Sequence, residues 1–286
     1  MYQERKLGQW HIAYDAEDGG RISRLSYSGT DLLTTPSHEK QMPQGDFGKF
    51  ETRPVYGYDD CFPSVDPSVY PGLAWEIPDH GELCWLSWDV ESLPEGLRFH
   101  VDSEALPLHF TRIMEFEPDR LIWKFEVENN SNAVLPFQHV MHALLPLEDI
   151  VHVTLPEFEM AADDIQHKIM GMKSGRDVTD FLLSTPRGVH HMLFLQRLKA
   201  GKLKWEYAGG ISVEMIFDKK LFPSLGIWWN NHSYPGEDRC RRTECAFEPT
   251  PGNNSNLAQA YNEGLCMFVE PARTLKWKIT WKINKT

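Results

Sequence analysis

The chain has 286 residues, of which 41% are hydrophobic and 12% aromatic, and it carries a formal net charge of −12. A strongly acidic balance disfavours nucleic acid and anionic membranes as partners, because both require a basic face on the protein. The apolar share can supply a large core, and all-β proteins of this length often form one domain. We therefore predict a globular protein with a single domain over residues 1–286 and no nucleic-acid or membrane partner.

The cysteines and the N-terminal residues bear on the cellular compartment. The number of cysteines is odd and no CxxC motif occurs, which favours reduced thiols. Residues 1–6 carry charge, no apolar signal segment follows them, and no run of about 18 apolar residues occurs. We expect a cytoplasmic protein without a membrane-spanning helix. The cysteines are Cys61, Cys84, Cys240, Cys245 and Cys266.

Alternating hydrophobicity predicts antiparallel strands along the whole chain, each with one buried face. Glycine, proline and asparagine clusters predict the turns between them. The pattern indicates an all-β protein built as one large antiparallel β sandwich. In chain order, the predicted strands are residues 9–14, 21–27, 82–90, 97–101, 110–116, 121–128, 137–145, 189–195, 211–217, 225–229, 265–269 and 275–283.

Helix is scarce in this pattern. Residues 255–262 are predicted to form a short helix that is capped by Ser255 and ended by Gly264. Residues 160–177 are polar and interrupted by glycine, so we expect a loop there that can include a helical turn.

One further predicted strand near the C-terminus has a glutamate, Glu248, at its end. Cys245 and Phe247 fall on one face of this extended segment, and Glu248 falls on the other. Pro249 is expected to end the strand, because proline cannot donate to a β-ladder and holds the preceding residue extended. Glu248 is therefore either a surface glutamate at a strand terminus or a carboxylate directed into a cleft.

Histidines occur in two segments upstream. His80 and Gly81 lie at a loop-to-strand junction, where side chains can face a cleft. His139 and His142 are three residues apart on a predicted strand, so they point to opposite faces and do not bind one metal together. No HxH, HExxH or CxxC spacing indicates a metal site. Each histidine can also be an ordinary hydrogen-bonded turn or sheet residue.

Two tryptophans end another predicted strand. Trp228 and Trp229 follow Gly226 and Ile227 shortly before the Glu248 strand. An aromatic ring at a strand end can stack on the apolar face of a pyranose, or it can belong to the core. Both interpretations remain open for Trp228.

Five short motifs follow one another along nearly the whole chain. They are Gly20-x-Ile22-x-x-Leu25 with Gly29-x-x-Leu32, Tyr56-Gly57 to Phe62-Pro63, His80-Gly81, Glu128-Asn129-Asn130-Ser131 with Pro136-Phe137 and His142, and Trp228 followed by Glu248-Pro249. In this order they resemble the aldose 1-epimerase (galactose mutarotase-like) family.

The resemblance implies a β-supersandwich and the interconversion of the α and β anomers of a monosaccharide. Glu248 would be the general base that takes the proton of the anomeric hydroxyl. His142 would be the general acid that protonates the ring oxygen, and His80 would bind the substrate near that oxygen. Such chemistry requires no metal and no organic cofactor.

Departures from the family pattern concern substrate binding. The Asn-Arg pair that binds sugar hydroxyls in the family is missing, and Arg53 is the substitute, with Trp228 as a further substrate-binding residue. His-Gly is followed by Glu82-Leu83-Cys84, whereas relatives that act on hexose 6-phosphates have Phe-Ala-Arg. Without that arginine, we expect a free neutral sugar. His139 would join the pocket only if its strand were bulged.

Two other functions fit the same residues. A non-catalytic carbohydrate-binding or sugar-sensing protein could share the fold, because fold does not determine function. A glycoside hydrolase would pair Glu248 with a second carboxylate such as Asp79 or Glu82.

Overall fold

The computed structural model describes residues 2–36, 45–234 and 243–285. Regular structure in these ranges is mostly antiparallel β, which confirms the predicted all-β class. Two short helices, α1 (Gly175–Leu183) and α2 (Leu257–Glu263), accompany the strands. The strands are β1 (Tyr2–Leu7), β2 (Trp10–Asp15), β3 (Arg21–Tyr27), β4 (Thr30–Asp31), β5 (Tyr58–Cys61), β6 (Ser68–Val69), β7 (Glu76–Ile77), β8 (Asp89–Leu93), β9 (Gly96–Asp102), β10 (Leu108–Glu117), β11 (Arg120–Asn129), β12 (Leu135–Phe137), β13 (Val140–Ala143), β14 (Leu145–Pro146), β15 (Ile150–Thr154), β16 (Met160–Asp163), β17 (Lys168–Met170), β18 (Val189–Gln196), β19 (Lys202–Tyr207), β20 (Ile211–Phe217), β21 (Ser224–Asn231), β22 (Thr243–Thr250), β23 (Met267–Val269) and β24 (Thr274–Lys285).

These strands form three large sheets. The largest has the strand order β15-β19-β20-β24-β11-β10-β9-β8. A second sheet has the order β1-β2-β3-β5-β13, with β4 paired to β3, and a third has the order β14-β22-β21-β18-β16-β17. Two small ribbons, β12-β23 and β6-β7, complete the pairing.

The predicted alternation in β11 and β24 is confirmed in the largest sheet. Trp123 and Trp281 are completely buried on its inner face, with ring centroids 5.5 Å apart. Phe125 lies on the same inner face. On the outer face, Lys276 donates to Glu126 over 2.8 Å. One face of the sheet therefore supplies the core, while the other is charged and solvated.

The second and third sheets meet where the chain passes from β13 into β14. β13 pairs with β5 in the second sheet, and β14, which follows after Leu144, pairs with β22 in the third. In that pairing Leu145 faces Cys245 and Pro146 faces Glu244. This crossing brings β13, which carries His142, beside β22.

The structure corrects the expectation of a loop over residues 160–177. That segment contains β16, β17 and the start of α1. Ser174 caps α1 by accepting from the Asp177 N–H, while the Asp177 carboxylate accepts from the Ser174 N–H, a reciprocal capping box. The serine and aspartate three residues apart were the sequence signal that the loop interpretation overlooked.

Other predicted strand and helix limits differ as well. Residues 82–90 do not form one strand, because Leu83–Trp85 make a 3₁₀ turn and β8 begins only at Asp89. Helix α2 is capped by Asn256, which accepts from the Gln259 N–H, rather than by Ser255. Gly264 does end α2, in the left-handed conformation with φ of 70°.

The described cysteines are reduced, as expected. Cys61, Cys84, Cys245 and Cys266 are free thiols, and Cys240 lies outside the described residues. Within the same ranges, no helix is long and apolar enough to cross a membrane.

Candidate active site

Glu248 lies on β22 and is buried. As predicted, Cys245 and Phe247 belong to the main core, so Glu248 is on the opposite face. The predicted strand end at Pro249 is wrong by one residue, because β22 continues to Thr250. Pro249 faces Leu225 of β21 on one side, and the described residues provide no partner strand on its other side. A proline fits in a strand at such an edge position.

The Glu248 carboxylate occupies space that is open because the facing residue is a glycine. Gly226 faces Glu248 across the β21–β22 ladder. A Cβ atom on Gly226 would lie 3.2 Å from Glu248 Oε2 and 2.8 Å from the Cε of Met192. Burial raises the pKa of Glu248 to about 7; the positive charge of His142 lowers it and the negative charge of Asp59 raises it. The carboxylate is therefore a stronger base than an exposed glutamate.

His142 lies on β13 opposite Asp59 of β5, and its Nδ1 is 2.9 Å from Asp59 Oδ1. Burial lowers the pKa of His142, but the hydrogen bond and charge of Asp59, with the charges of Glu248 and Glu244, raise it above the ordinary value. The carboxylate thus holds Nδ1 as a donor and leaves Nε2 for another partner.

Asp59 is itself held by two arginines. Its Oδ2 lies 3.4 Å from Arg21 Nη2 and 3.8 Å from Arg53 Nη1. Burial raises the pKa of Asp59, but the charge of Arg21, the contact with His142 and the charge of Arg53 outweigh it and hold that pKa well below its ordinary value. Asp59 is therefore a buried anion that orients the imidazole. This role was not predicted from the sequence, although alternation along Tyr58–Cys61 places Asp59 and Asp60 on opposite faces.

His80 sits in a strained turn beside His142. Its φ is 62°, and Gly81 follows with φ of 74°. A Cβ at Gly81 would lie 1.9 Å from the Phe62 carbonyl oxygen, so only glycine fits there. The His80 ring stacks on Phe50 with centroids 3.6 Å apart, and it meets the His142 ring edge-on at 5.0 Å.

A carboxylate also fixes the orientation of His80. Its Nδ1 lies 2.8 Å from Asp79 Oδ1. Burial lowers the pKa of His80, and the hydrogen bond to Asp79 offsets this only in part, so the net pKa lies below its ordinary value. The neutral ring can accept a hydrogen bond through Nε2 when Nδ1 donates to Asp79.

The structure thus brings Glu248, His142 and His80 to one region at the junction of the second and third sheets. A small apolar cluster adjoins it, separate from the main core. Its buried members are Phe50, Val55, Cys84, Leu144 and Ala246, with Trp85, Trp228 and Tyr234 packed against them.

The two predicted substrate-binding residues have different environments. Trp228 is half-buried in the apolar cluster and packs edge-on against Tyr234 at 5.5 Å, whereas Trp229 belongs to the main core. Arg53 is buried, and its guanidinium donates to the Cys84 carbonyl and to Asp18 over 2.5 Å each. Arg53 Nη1 also lies 3.8 Å from Asp59 Oδ2. Direct contact of Arg53 with a sugar stays a prediction.

His139 lies on the other side of the second sheet. Its Nε2 is 2.9 Å from Asp60 Oδ1, and its ring packs against Phe125 and Trp277 of the largest sheet. The prediction that His139 and His142 point to opposite faces is confirmed, and no bulge carries His139 into the site.

The carboxylates considered for a glycosidase are engaged elsewhere. Glu82 accepts from the Ser103 hydroxyl and from the N–H groups of Glu104 and Ala105. Asp79 accepts from His80. Neither contact places a second carboxylate opposite Glu248 in the manner of a glycosidase pair.

One group of potential metal ligands lies in the site. One ligand atom each of Cys61, His80 and His142 lie within 4.8 Å of one another. These residues come from distant parts of the chain, so no spacing motif in the sequence could have revealed them.

Comparison with known proteins identifies the fold. No family model matches the chain, and no curated protein does. Among solved structures, the Slr1438 protein of Synechocystis sp. PCC 6803 matches with a TM-score of 0.76 at 14% identity, covering 100% of this chain and 96% of that one.

Two further matches carry family names. A protein of Escherichia coli K12, described provisionally as an aldose 1-epimerase, matches with a TM-score of 0.72 at 12% identity, over 100% of this chain and 99% of its own. A galactose mutarotase related enzyme of Lactobacillus acidophilus matches with a TM-score of 0.70 at 15% identity, over 100% and 98%. The chain therefore has the galactose mutarotase-like fold that its sequence motifs predicted.

Proposed function

We propose that the protein is an aldose 1-epimerase-like isomerase that interconverts the anomers of a free neutral monosaccharide. The observation that carries the proposal is that buried Glu248 lies close enough to His142 for their charges to act on each other, while Asp59 fixes Nδ1 of His142. Two groups that can transfer protons thus come from distant parts of the chain and lie near each other. General acid–base catalysis of this kind contributes roughly 10²–10⁴-fold in rate.

In the proposed reaction, the Glu248 carboxylate takes the proton from the anomeric hydroxyl while His142 donates a proton to the ring oxygen. The bond from C1 to the ring oxygen breaks, and a C1 aldehyde forms. After rotation about the C1–C2 bond, the roles reverse. His142 takes back the hydroxyl proton, the oxygen attacks the other face of C1, and Glu248 returns its proton to the anomeric oxygen.

The electrostatics favour the required protonation states. Burial raises the pKa of Glu248 to about 7, which makes the carboxylate basic while leaving much of it ionised at neutral pH. Asp59 raises the pKa of His142 against burial, which helps the imidazole to keep the proton that it donates. A base and an acid with pKa values near the working pH transfer protons most effectively.

A neutral sugar suits the charges around the pocket. Asp59, Asp79 and Glu248 surround the site with carboxylates, and the guanidinium groups of Arg21 and Arg53 are directed to Asp18 and Asp59. An anionic phosphate sugar would meet repulsion here without a described arginine free to bind it. Neutral His80 and the Trp228 ring offer hydrogen bonding and stacking instead.

The test is anomer equilibration measured by polarimetry on freshly dissolved hexoses and pentoses. We expect the wild-type protein to accelerate at least one sugar, and Glu248→Gln to lower that rate by roughly 10²-fold or more while sugar binding persists. Calorimetric binding without any acceleration across the panel would favour the non-catalytic carbohydrate-binding protein.

A further inference from the structure

We propose that Cys61, His80 and His142 form a binding site for a borderline-soft divalent cation of the Zn²⁺ type. Occupation of this site would block the epimerisation proposed above. The blocking effect rests on that proposed function, whereas cation binding itself does not.

The ligand geometry is close to that of a metal site. The three ligand atoms lie within 4.8 Å of one another, so a point exists within about 2.8 Å of all three, against bond lengths of about 2.0–2.3 Å. Cys61 lies on β5, His142 lies on the paired strand β13, and His80 is pinned by stacking on Phe50. Side-chain adjustments of less than about 1 Å would complete three bonds.

Both imidazoles already have the outer partners that zinc-binding histidines require. Asp79 holds Nδ1 of His80 at 2.8 Å, and Asp59 holds Nδ1 of His142 at 2.9 Å. A metal-ligating histidine generally donates its other ring N–H to a carboxylate, which fixes the tautomer and makes the free nitrogen a better ligand. Both histidine–carboxylate pairs lie beside the Cys61 thiol.

The donor set also selects the cation. One sulfur and two imidazole nitrogens favour Zn²⁺ and its neighbours over Mg²⁺ and Ca²⁺, which prefer oxygen ligands. On binding, the metal–sulfur bond replaces the S–H bond of Cys61, and the proton goes to solvent. Glu248 lies near enough for its charge to act on both Cys61 and His142, so it adds negative charge beside the cation. A water molecule can take the fourth position.

Binding of the cation would prevent His142 from acting as the proposed general acid. Once the free nitrogen of His142 is bonded to the metal, it carries no proton to donate to the ring oxygen. The cation would also fill space beside His80 that the sugar needs, so metal and sugar should compete.

The direct experiment is a Co²⁺ titration of untagged, chelator-treated protein followed by absorption spectroscopy. We expect a thiolate-to-cobalt charge-transfer band at one equivalent, which one equivalent of Zn²⁺ abolishes. Cys61→Ser should remove the band and weaken Zn²⁺ binding by about 100-fold or more. Cys266→Ser is the matched control, because this cysteine is free and lies outside the ligand group, and it should leave the titration unchanged.

Two further variants guard against misfolding of Cys61→Ser. His80→Asn keeps a residue type that tolerates positive φ, and it should weaken Zn²⁺ binding by a similar factor. Asp79→Asn removes only the outer partner and should weaken binding by about 10–100-fold. A wild-type titration without the charge-transfer band, or one that Cys61→Ser and His80→Asn both leave unchanged, overturns the site.

A second experiment measures the effect of Zn²⁺ on the proposed epimerase activity. We expect Zn²⁺ to slow anomer equilibration by the wild-type protein, and a chelator to restore the rate. If the chelated wild type does not accelerate equilibration at all, the proposed function fails, and the cobalt spectrum still decides whether the metal site exists. If Zn²⁺ binds and the rate is unchanged, the blocking effect is refuted.

Discussion

Replacing Glu248 with glutamine should weaken activity and strengthen the fold, and the second effect tests the reasoning about the first. The carboxylate is almost completely buried, and burial is the main reason that its pKa is raised from 4.5 to about 7. A glutamine of nearly the same shape keeps the packing against Gly226 but cannot ionise. Any pH dependence that the variant loses therefore belongs to this one group.

The direction and size of the change in unfolding free energy follow from the coupling between proton binding and folding. Between pH 4.5 and 7, the unfolded chain releases the Glu248 proton while the folded protein retains it, so stability falls as pH rises and levels off above the folded pKa. A pKa raised from 4.5 to about 7 corresponds to roughly 3 kcal/mol. Glu248→Gln should therefore gain about 3 kcal/mol over wild type between about pH 4 and pH 8.

The measurement is urea-induced unfolding of both proteins at pH 4, 6 and 8, with a chelator present throughout. Polarimetry on the same samples should show the variant slower by about 10²-fold or more at pH 7. If the two unfolding free energies keep a constant difference from pH 4 to pH 8, the carboxylate is not desolvated, and its assignment as a tuned base is refuted.

Gly226→Ala would push a Cβ to 3.2 Å from the proposed base, so we expect kcat to fall about 10-fold. Gly171→Ala, whose Cβ meets nothing within 4 Å, is the neutral control, and equal rates would contradict the close-approach argument. Asp59→Asn should lower the imidazole pKa and move the alkaline limb of the pH–rate profile to lower pH; an unmoved limb would exclude this role. Trp228→Ala should raise KM about 10-fold with kcat little changed, whereas Trp229→Ala should cost about 3–5 kcal/mol of stability, measured by unfolding. The reverse pattern would show that the half-buried ring serves the core.

The β-sheet fold could be predicted from the sequence, and so could the face of the sheet on which several side chains lie. Both follow from the alternation of side chains along a β-strand, which repeats every two residues. Strand alternation places Trp123 and Glu126 on opposite faces, and it does the same for His139 and His142. Sequence signals were weaker where structure depends on local turns: the capping serine Ser174 was overlooked, and residues 82–90 followed an alternating pattern without forming one strand.

The supporting groups of the site could not be read from the sequence for a different reason. Asp59, Arg21 and Arg53 meet only because three separate segments converge, and no spacing records that contact. The same limit applies to the Cys61–His80–His142 group. A sequence motif can indicate a candidate site residue. The charged groups that shift the pKa of that residue come from distant segments and depend on how the chain packs.

The two faces of β5 place similar residue types in different surroundings. Asp60 on the core face binds His139 Nε2 at 2.9 Å and forms a buried ion pair with Arg112. Asp59 on the other face binds His142 Nδ1 at 2.9 Å.

Both faces thus carry a histidine, an aspartate and an arginine, yet the surroundings of the two imidazoles differ. The ring of His139 is enclosed by Phe110, Phe125 and Trp277, which leaves no room for a sugar. The His142 ring instead faces His80 and the apolar cluster around Phe50, at the junction of two sheets. Breaking a fully buried ion pair such as that of Arg112 costs about 3–5 kcal/mol. The Asp60 contacts tie one face of β5 to the core, and Asp59 lies on the other face, from which it orients the proposed acid.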